Sequence, residues 1–382
     1  MWCLSLGVSS LGLYGLYVPS TLVYVLSFIS IAVFNIISLA FNTNNKNYIR
    51  RDRPSGKTNV KLIVLSHIIA YSFSIPYLLK SINIINEMGF LYLRSVTVVD
   101  AKYASTYALL TFQWILLPLF TATMIIASVD FARGDKNYLM FFLAVFDTIL
   151  YAILFGGRYI IFKFILFFTF SYILSESGRI MKILSKHKKV VALSIVGVLI
   201  LVYMTSLRSL SGFSFFGNVI GYYTGSLSYL SALLENKYHS EYLLFGSATF
   251  GSIINLIKAV GKILLGIDYT GSDEFIANLT ASYLRIGDKT VYNALTTMLY
   301  PFILDFGYVG VVISTAIFAI FVKTIEKIYF LKTDTRWKSV YIFVLYMVFD
   351  SILKYNFLSP GTLVTLVMPF IFISREEKRG GQ

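Results

Sequence analysis

The sequence predicts an all-α, polytopic integral membrane protein. Three observations predict it. Of the 382 residues, 57% are hydrophobic and only 14% are charged, against about a quarter charged in soluble domains. The apolar residues gather into runs of the length a helix needs to cross a bilayer, about twenty residues. The basic residues, which leave a formal net charge of +14, concentrate between those runs on one side of the resulting topology.

Taken in order, spans are expected at 2–18, 20–41, 60–79, 106–128, 139–155, 159–175, 190–206, 306–330, 338–353 and 360–374. That is about ten transmembrane helices, with both termini on the same side. The start lacks the basic n-region of a secretory signal, so 2–18 reads as a retained first span. Gly7, Gly12 and Gly15 within it fit close helix packing. The whole chain, 1–382, reads as one membrane domain, with 207–293 as a large periplasmic or extracellular loop inserted between spans seven and eight.

The connections sort by charge. Residues 42–58 carry Lys46, Arg50, Arg51, Arg53 and Lys57, and residues 176–189 carry Arg179, Lys182, Lys186, Lys188 and Lys189. Arg133 and Lys136, then Lys323, Lys327, Lys332, Arg336 and Lys338, then Arg375, Lys378 and Arg379 fall on the same face. By the positive-inside rule that face is cytoplasmic, which puts both termini in the cytoplasm. The basic excess is therefore a topology signal and argues against nucleic acid as a partner. One cysteine, Cys3, excludes internal disulfides and Cys-based metal sites.

The opposite face holds the irregular features. Residues 80–105 form a moderate loop, and Gly156-Gly157-Arg158 is the only step between spans five and six. The 207–293 loop is far longer than a connection requires, which marks it as functional or disordered. Its patterning argues for order. Phe216, Val219, Ile220, Tyr223, Leu227, Leu230 and Leu234 recur at helical spacing, as do Phe250, Ile253, Ile254, Ile257, Val260 and Leu264. Both runs read as amphipathic helices lying on the outer leaflet or over the bundle, with a further span as the alternative for either. No internal repeat of the kind built into many transporters is visible.

Candidate chemistry follows from these placements. At Gly156-Gly157-Arg158 two glycines permit close backbone approach, and the arginine offers a planar fork of donors to phosphate; the plain alternative is a tight turn. Arg208 opens the large loop and Arg285 lies late in it, so three arginines share one face. Lys237, Lys258 and Lys262 add a positive field, with lipid contact as the simpler use. Asp273-Glu274 on a glycine-containing turn could supply a general base or merely a solvated turn. His239 is the outward histidine and a weaker candidate base, whereas His187 sits among cytoplasmic lysines and His67 in a span. Asp147 and Asp350 lie in apolar runs, where acids are costly; a proton relay would use them, and Asp350 also has Lys354 one turn on.

Just before a long apolar run, residues 293–310 gather Asn293, Thr296, Thr297, Pro301 and Asp305-Phe306-Gly307. The sequence places these groups at the membrane surface, with Pro301 breaking the approach to the eighth span. There is no Asp-x-Asp pair, Walker loop, His-Glu-x-x-His or Gly-x-Ser-x-Gly. Asp305-Phe306-Gly307 has no kinase motifs around it.

Gly157-Arg158 between middle spans, Arg208 opening a large outer loop, and Asn293 with Thr296 ahead of Asp305-Phe306-Gly307 resemble the Wzy-type oligosaccharide repeat-unit polymerases of bacterial O-antigen and capsule assembly. The similarity extends to span count and to the single large outer loop, and it departs in lacking a clean second copy of the family's arginine-and-glycine loop pattern. The resemblance implies a GT-C-like membrane glycosyltransferase at the outer face of the bacterial inner membrane. Its donor and acceptor would be undecaprenyl-diphosphate-linked oligosaccharides, it would need no metal or other cofactor, and a chain-length regulator protein would be a partner. Arg158, Arg208 and Arg285 would hold the diphosphate, with Gly157 beside them. Asp273, Glu274 or His239 would be the base. Tyr222, Tyr223 and Tyr229 would offer stacking faces, and Asn293, Thr296 and Asp305 would form the floor of the site. An O-antigen ligase is the neighbouring alternative. A lipid-linked oligosaccharide flippase is the alternative of another class, and the long loop argues against it.

Overall fold

The computed structural model of the chain describes residues 1–41, 56–94, 103–135, 137–157, 159–175, 215–236, 243–266, 270–288, 290–293, 295–332 and 334–375. The fold is mostly helical, as an all-α membrane protein requires. Among the described residues five helices are long and apolar enough to cross a membrane: Thr21–Ala40, Val60–Met88, Tyr107–Arg133, Tyr138–Phe155 and Leu299–Leu331. Tyr159–Ile173 and Pro360–Phe372 are shorter apolar helices. The expected span at 190–206 lies outside the described residues.

The chain forms two compact units. One comprises Asn47–Gly212, Ile328–Tyr346 and Val364–Gln382. In it, α3 (Val60–Met88) starts at Asn59, whose side chain accepts from the Leu62 N–H, and ends at Gly89 with φ +82°. It runs beyond the expected 60–79 into the segment read as an outer loop, because Ile82, Ile84 and Ile85 continue the apolar pattern. A five-residue α4 (Phe90–Arg94) follows. Then α5 (Thr106–Thr111) and a π-helical turn at Phe112–Leu116 lead into α6 (Leu117–Arg133). Every residue of α6 from Pro118 to Phe131 is buried, which makes it the central helix of its unit. Thr121, Ala122, Thr123, Ala127 and Ser128 keep its surface small enough for neighbours to approach closely. Those neighbours include α7 (Tyr138–Phe155) and α8 (Tyr159–Ile173). On α8, the Lys163 ammonium donates to Thr121 Oγ1 at 3.1 Å and stands 5.0 Å from the Tyr346 ring centre, a cation–π seat within the apolar unit.

Segments that the charge pattern assigned to one face do meet at one end of this unit. Strand β1 (Lys57–Thr58) pairs antiparallel with a strand at Ile373–Ser374. Arg133 donates to the Gly56 carbonyl and to Thr335 Oγ1, and Thr58 donates to buried Asp130. Asp334 and Arg336, on either side of Thr335, form an ion pair.

The second unit comprises Met1–Lys46, Phe213–Lys327 and Met347–Leu363. Its start corrects the expected first span. Helix α1 covers only Trp2–Ser9, after which Gly12, Tyr14 and Gly15 take positive φ. The glycines placed in 2–18 for helix packing instead turn the chain, so that Leu16 bridges Gly287 and the Asp288 N–H reaches the Gly15 carbonyl. Next comes α2 (Thr21–Ala40), with Phe28, Ile36 and Leu39 exposed. Both helices expected within the large loop are present: α9 (Phe215–Glu235) and α10 (Gly251–Leu265). On α9, Thr224, Ser226, Leu227, Ser228, Leu230 and Ser231 are all buried, so that stretch is an internal helix and not a surface one. A short α11 (Ser272–Leu279) precedes the hairpin β2 (Leu284–Arg285) and β3 (Val291–Tyr292). Then comes α12 (Leu299–Leu331), followed by α13 (Thr335–Asp350) and α14 (Pro360–Phe372), of which this unit takes the residues 347–350 and 360–363.

Candidate functional site

The polar groups of residues 293–307 sit in the second unit, and the structure changes their placement. Asp305, expected ahead of the span, lies within α12, which begins at Leu299, and is fully buried in the protein. Pro301 does not break the approach: it occupies the first turn of α12, where a missing N–H costs no intrahelical bond. The irregularity falls a few residues later, at Phe306 and Gly307. Gly307 has φ 62° and ψ −155°, a region open essentially to glycine alone.

The Asp305 carboxylate anchors the turn that leads into α10. It accepts the backbone N–H of Ala248 at 2.9 Å, the N–H of Thr249 at 2.6 Å and the Thr249 hydroxyl. Since the Thr249 hydroxyl proton goes to Asp305, Ser314 is the donor in the 2.7 Å contact between Ser314 Oγ and Thr249 Oγ1. The Thr249 carbonyl in turn accepts from the Tyr355 hydroxyl at 2.8 Å, and the main chain at 244–245 bonds to the carbonyls of Leu304 and Asp305. A buried carboxylate satisfied by several donors in this way is stable where an isolated one would not be.

The segment leading into α12 is held as firmly. Thr297 has positive φ, its N–H reaches the Leu353 carbonyl, and the Met298 N–H reaches the Ser351 carbonyl. Thr296 is buried, and Asn293 donates to the Ala281 carbonyl. On α13, buried Asp350 accepts from Asn356 Nδ2 at 2.8 Å.

Other sequence-predicted residues join the same unit. Ser272 Oγ donates to the Ser247 carbonyl, and Asn255 Oδ1 accepts the Ser272 N–H, which fixes the start of α11 two residues from Thr249. Asp273 follows immediately, half-buried, with its carboxyl folded back to accept the Glu274 N–H. Burial pushes its pKa above the ordinary aspartate range despite that bond. Glu274 is exposed. Arg285 is exposed too, but its Nε and one Nη donate to the carbonyls of Gly287 and Asp288. Part of its fork therefore closes its own hairpin. That hairpin rests on α9 at Gly225, where a Cβ would lie 3.1 Å from Ile286 and Tyr292. Tyr292 donates to the Tyr222 carbonyl, Tyr229 donates to the carbonyls of Thr280 and Ser282, and Tyr223 meets Phe349 edge-on.

Asp273, Glu274, Arg285, Tyr222, Tyr223, Tyr229, Asn293, Thr296 and Asp305 thus share one unit, whereas Gly157 belongs to the other. Arg158, Arg208 and His239 lie outside the described residues, as do Lys237 and His187. Thr249, Ser314 and Tyr355 were missed; uncharged hydroxyls scattered over a hundred residues carry no local signal.

A second polar cluster lies in the other unit. His67 Nε2 is 2.9 Å from Asp147 Oδ2, and Tyr71 donates to Asp147 Oδ1 at 2.7 Å. His67 Nδ1 faces the Ile63 carbonyl at 2.8 Å, so Nδ1 carries a proton. Thr123 donates to the Leu119 carbonyl and turns a lone pair toward His67 Nε2 at 3.4 Å. Both ring nitrogens of His67 and both oxygens of Asp147 are therefore engaged in hydrogen bonds within the apolar unit. His67, which carried no assignment in the sequence reading, is the partner of the intramembrane acid.

Comparison with protein-family models, with curated proteins and with solved structures finds no match. Among the described residues no cluster of His, Cys, Asp or Glu is arranged to hold a metal ion.

Proposed function

We propose that the chain is a Wzy-type polysaccharide polymerase: a GT-C-like membrane glycosyltransferase of about ten spans. It would join undecaprenyl-diphosphate-linked repeat units at the outer face of a bacterial inner membrane. The observation that carries this reading is the Asp305 anchor. The motif behind the resemblance, Asn293 to Gly307, is in this fold the point where a buried carboxylate ties the large loop to a membrane helix. A loop so fixed can hold a glycan against a lipid-borne leaving group.

In the reaction, an acceptor sugar hydroxyl attacks the donor's anomeric carbon. The anomeric carbon–oxygen bond breaks, the diphosphate leaves with the electron pair, and a carboxylate takes the hydroxyl proton. Arginines stabilise the charge that grows on the diphosphate. Arg158 and Arg208 fill that role, and Arg285 contributes the donors not used by its hairpin. Asp273 is the favoured base, since burial raises its proton affinity toward the working range. Glu274 and His239 are the other candidates.

The test is an assay with lipid-linked repeat units as the sole substrate. Wild-type protein should give a ladder of products, and Arg158→Ala should give none while still reaching the membrane. A single transfer to a lipid A core acceptor with no ladder would assign a ligase instead. Unchanged ladders from Arg158→Ala would remove that residue from the site. The His67–Asp147 pair favours a second reading, a proton-linked transporter of lipid-linked glycans, because intramembrane ionisable pairs are characteristic of proton-driven transport. Glycan translocation in proteoliposomes without chain extension would establish it.

A further inference from the structure

Gly271 is a glycine for reasons of space and not of conformation. In the sequence it belongs to the turn ahead of Asp273-Glu274, where a positive φ would be its ordinary use. Its φ is −67° and its ψ 154°, an extended conformation open to any residue. What bars a side chain is the Asp273 carboxyl, because a Cβ at 271 would collide with Asp273 Oδ1. The same Cβ would meet Asn255 Oδ1 at an ordinary 3.4 Å. The Asp273 carboxyl therefore fills the space of the missing side chain, on the side of Gly271 that faces Asn255.

Asn255 keeps that space fixed. It is 3% exposed, its Oδ1 accepts the Ser272 N–H at 3.0 Å and its Nδ2 donates to the Leu358 carbonyl at 2.9 Å. Ser272, 2% exposed, donates to the Ser247 carbonyl at 2.7 Å. At Gly251 an added Cβ would lie 2.9 Å from the Leu358 main chain, so α10 is itself pressed against the 357–359 loop. Three segments thus hold the two residues that precede Asp273. Few charges face the carboxyl. Exposed Glu274 is the charged neighbour on α11 and raises its proton affinity less than burial does. On α10 the charged residues on the Asn255 side are Lys258 and Lys262. Residues 247–249 and 357–359 bring no ionisable side chain.

We propose that Gly271 is a positioning residue: its bare backbone, backed by Asn255, is the seat of the Asp273 carboxyl and fixes where the proton of an acceptor sugar hydroxyl is received. The catalytic part rests on the polymerase reading, whereas the seat does not. Any side chain at 271 turns the carboxyl out toward water, where the desolvation that raises its proton affinity is relieved. An aspartate tip moves easily, and alanine suits the backbone at 271. Gly271→Ala therefore moves this one group and leaves the fold in place.

The test compares full-length wild type, Gly271→Ala, Asp273→Ala and the double variant in detergent. The stabilisation from a carboxyl with raised proton affinity is present below its unfolded-state pKa and is lost as pH rises through its folded-state pKa. The melting temperature of Gly271→Ala should therefore fall less than that of wild type across the mildly acidic range. On the Asp273→Ala background the change at 271 should leave the pH dependence untouched. A folded Gly271→Ala protein that follows the wild-type curve would overturn the seat. If Gly271→Ala gives little folded protein, its recovery on the Asp273→Ala background would support the collision with the carboxyl, and loss on both backgrounds would overturn it. Chain extension with lipid-linked repeat units reads the catalytic part separately. The acid limb of its pH profile should lie at lower pH in Gly271→Ala than in wild type. Coincident limbs, beside altered melting curves, would overturn the catalytic part and keep the seat. Wild-type protein that makes no ladder would count against the polymerase reading, and the melting curves would still decide the seat.

Discussion

Asp305 and Thr249 are joined twice, through the backbone N–H and through the hydroxyl of Thr249, with Asp305 fully buried. Removing the carboxylate strands two buried N–H groups, those of Ala248 and Thr249, at about 1–3 kcal/mol each. Asp305→Ala should therefore destabilise the protein by about 3 kcal/mol or more. Asp305→Asn should lie between it and wild type, because one oxygen remains while an amide is turned toward a donor. Thermal unfolding in detergent, followed by fluorescence-detected gel filtration, measures both. An Asp305→Ala protein that unfolds at the wild-type temperature would contradict the anchor.

His67 and Asp147 should behave as a coupled pair. Loss of either leaves a buried polar group without its hydrogen-bond partner, whereas loss of both removes the problem along with the bond. In a double-mutant cycle, His67→Gln and Asp147→Asn should each destabilise strongly, and the double variant should cost less than their sum. The coupling is expected at about 1–3 kcal/mol. Strict additivity would show that the 2.9 Å contact carries no energy.

These two relationships mark where the sequence was readable and where it was not. Apolar runs announced the helices at Thr21–Ala40, Tyr138–Phe155 and Tyr159–Ile173 to within a residue or two, because hydropathy reports directly on what lipid and core require. Helical spacing announced α9 and α10 inside the large loop. Which way those helices face was not readable, since a stripe at the right period looks the same whether lipid or protein lies against it. Asp147 was conspicuous as an acid in an apolar run, but its histidine is 80 residues away. Asp305 was conspicuous as well, yet its burial depends on Ala248 and Thr249, which bear no charge. The first span failed because Gly12 and Gly15 are equally suited to helix contacts and to positive φ.

The kink in α12 depends on two glycines for different reasons. Gly307 needs its positive φ, so Gly307→Ala should cost about 1–3 kcal/mol through backbone strain. Gly310 has an ordinary conformation, but the kink brings the Phe302 carbonyl to where its Cβ would be. Backbone cannot yield there as a side-chain tip would. Gly310→Ala should therefore be the more damaging variant, with little folded protein recovered on gel filtration. The reverse order of yields would show that the kink is not held at Phe302.

Asp273 gives the pH dependence. Burial holds its carboxyl above the ordinary aspartate value, so the folded chain binds that proton more tightly than the unfolded chain does. The stabilisation from this group is present below the unfolded-state value and is lost as pH rises through the higher folded-state value. Wild-type protein should thus lose some stability across the mildly acidic range. Asp273→Asn cannot ionise and should lose less over the same interval, so the gap between the two melting temperatures should shift in favour of Asn as pH rises. The same group makes a kinetic prediction. If Asp273 is the base, chain extension by wild type should rise with pH through the interval where its stability falls, because only the ionised carboxylate accepts the acceptor's proton. Asp273→Asn should extend chains poorly at every pH while remaining folded, whereas Glu274→Gln, at an exposed position, should keep the wild-type profile. An Asp273→Asn protein with full activity and an unchanged pH profile would move the base to Glu274 or His239.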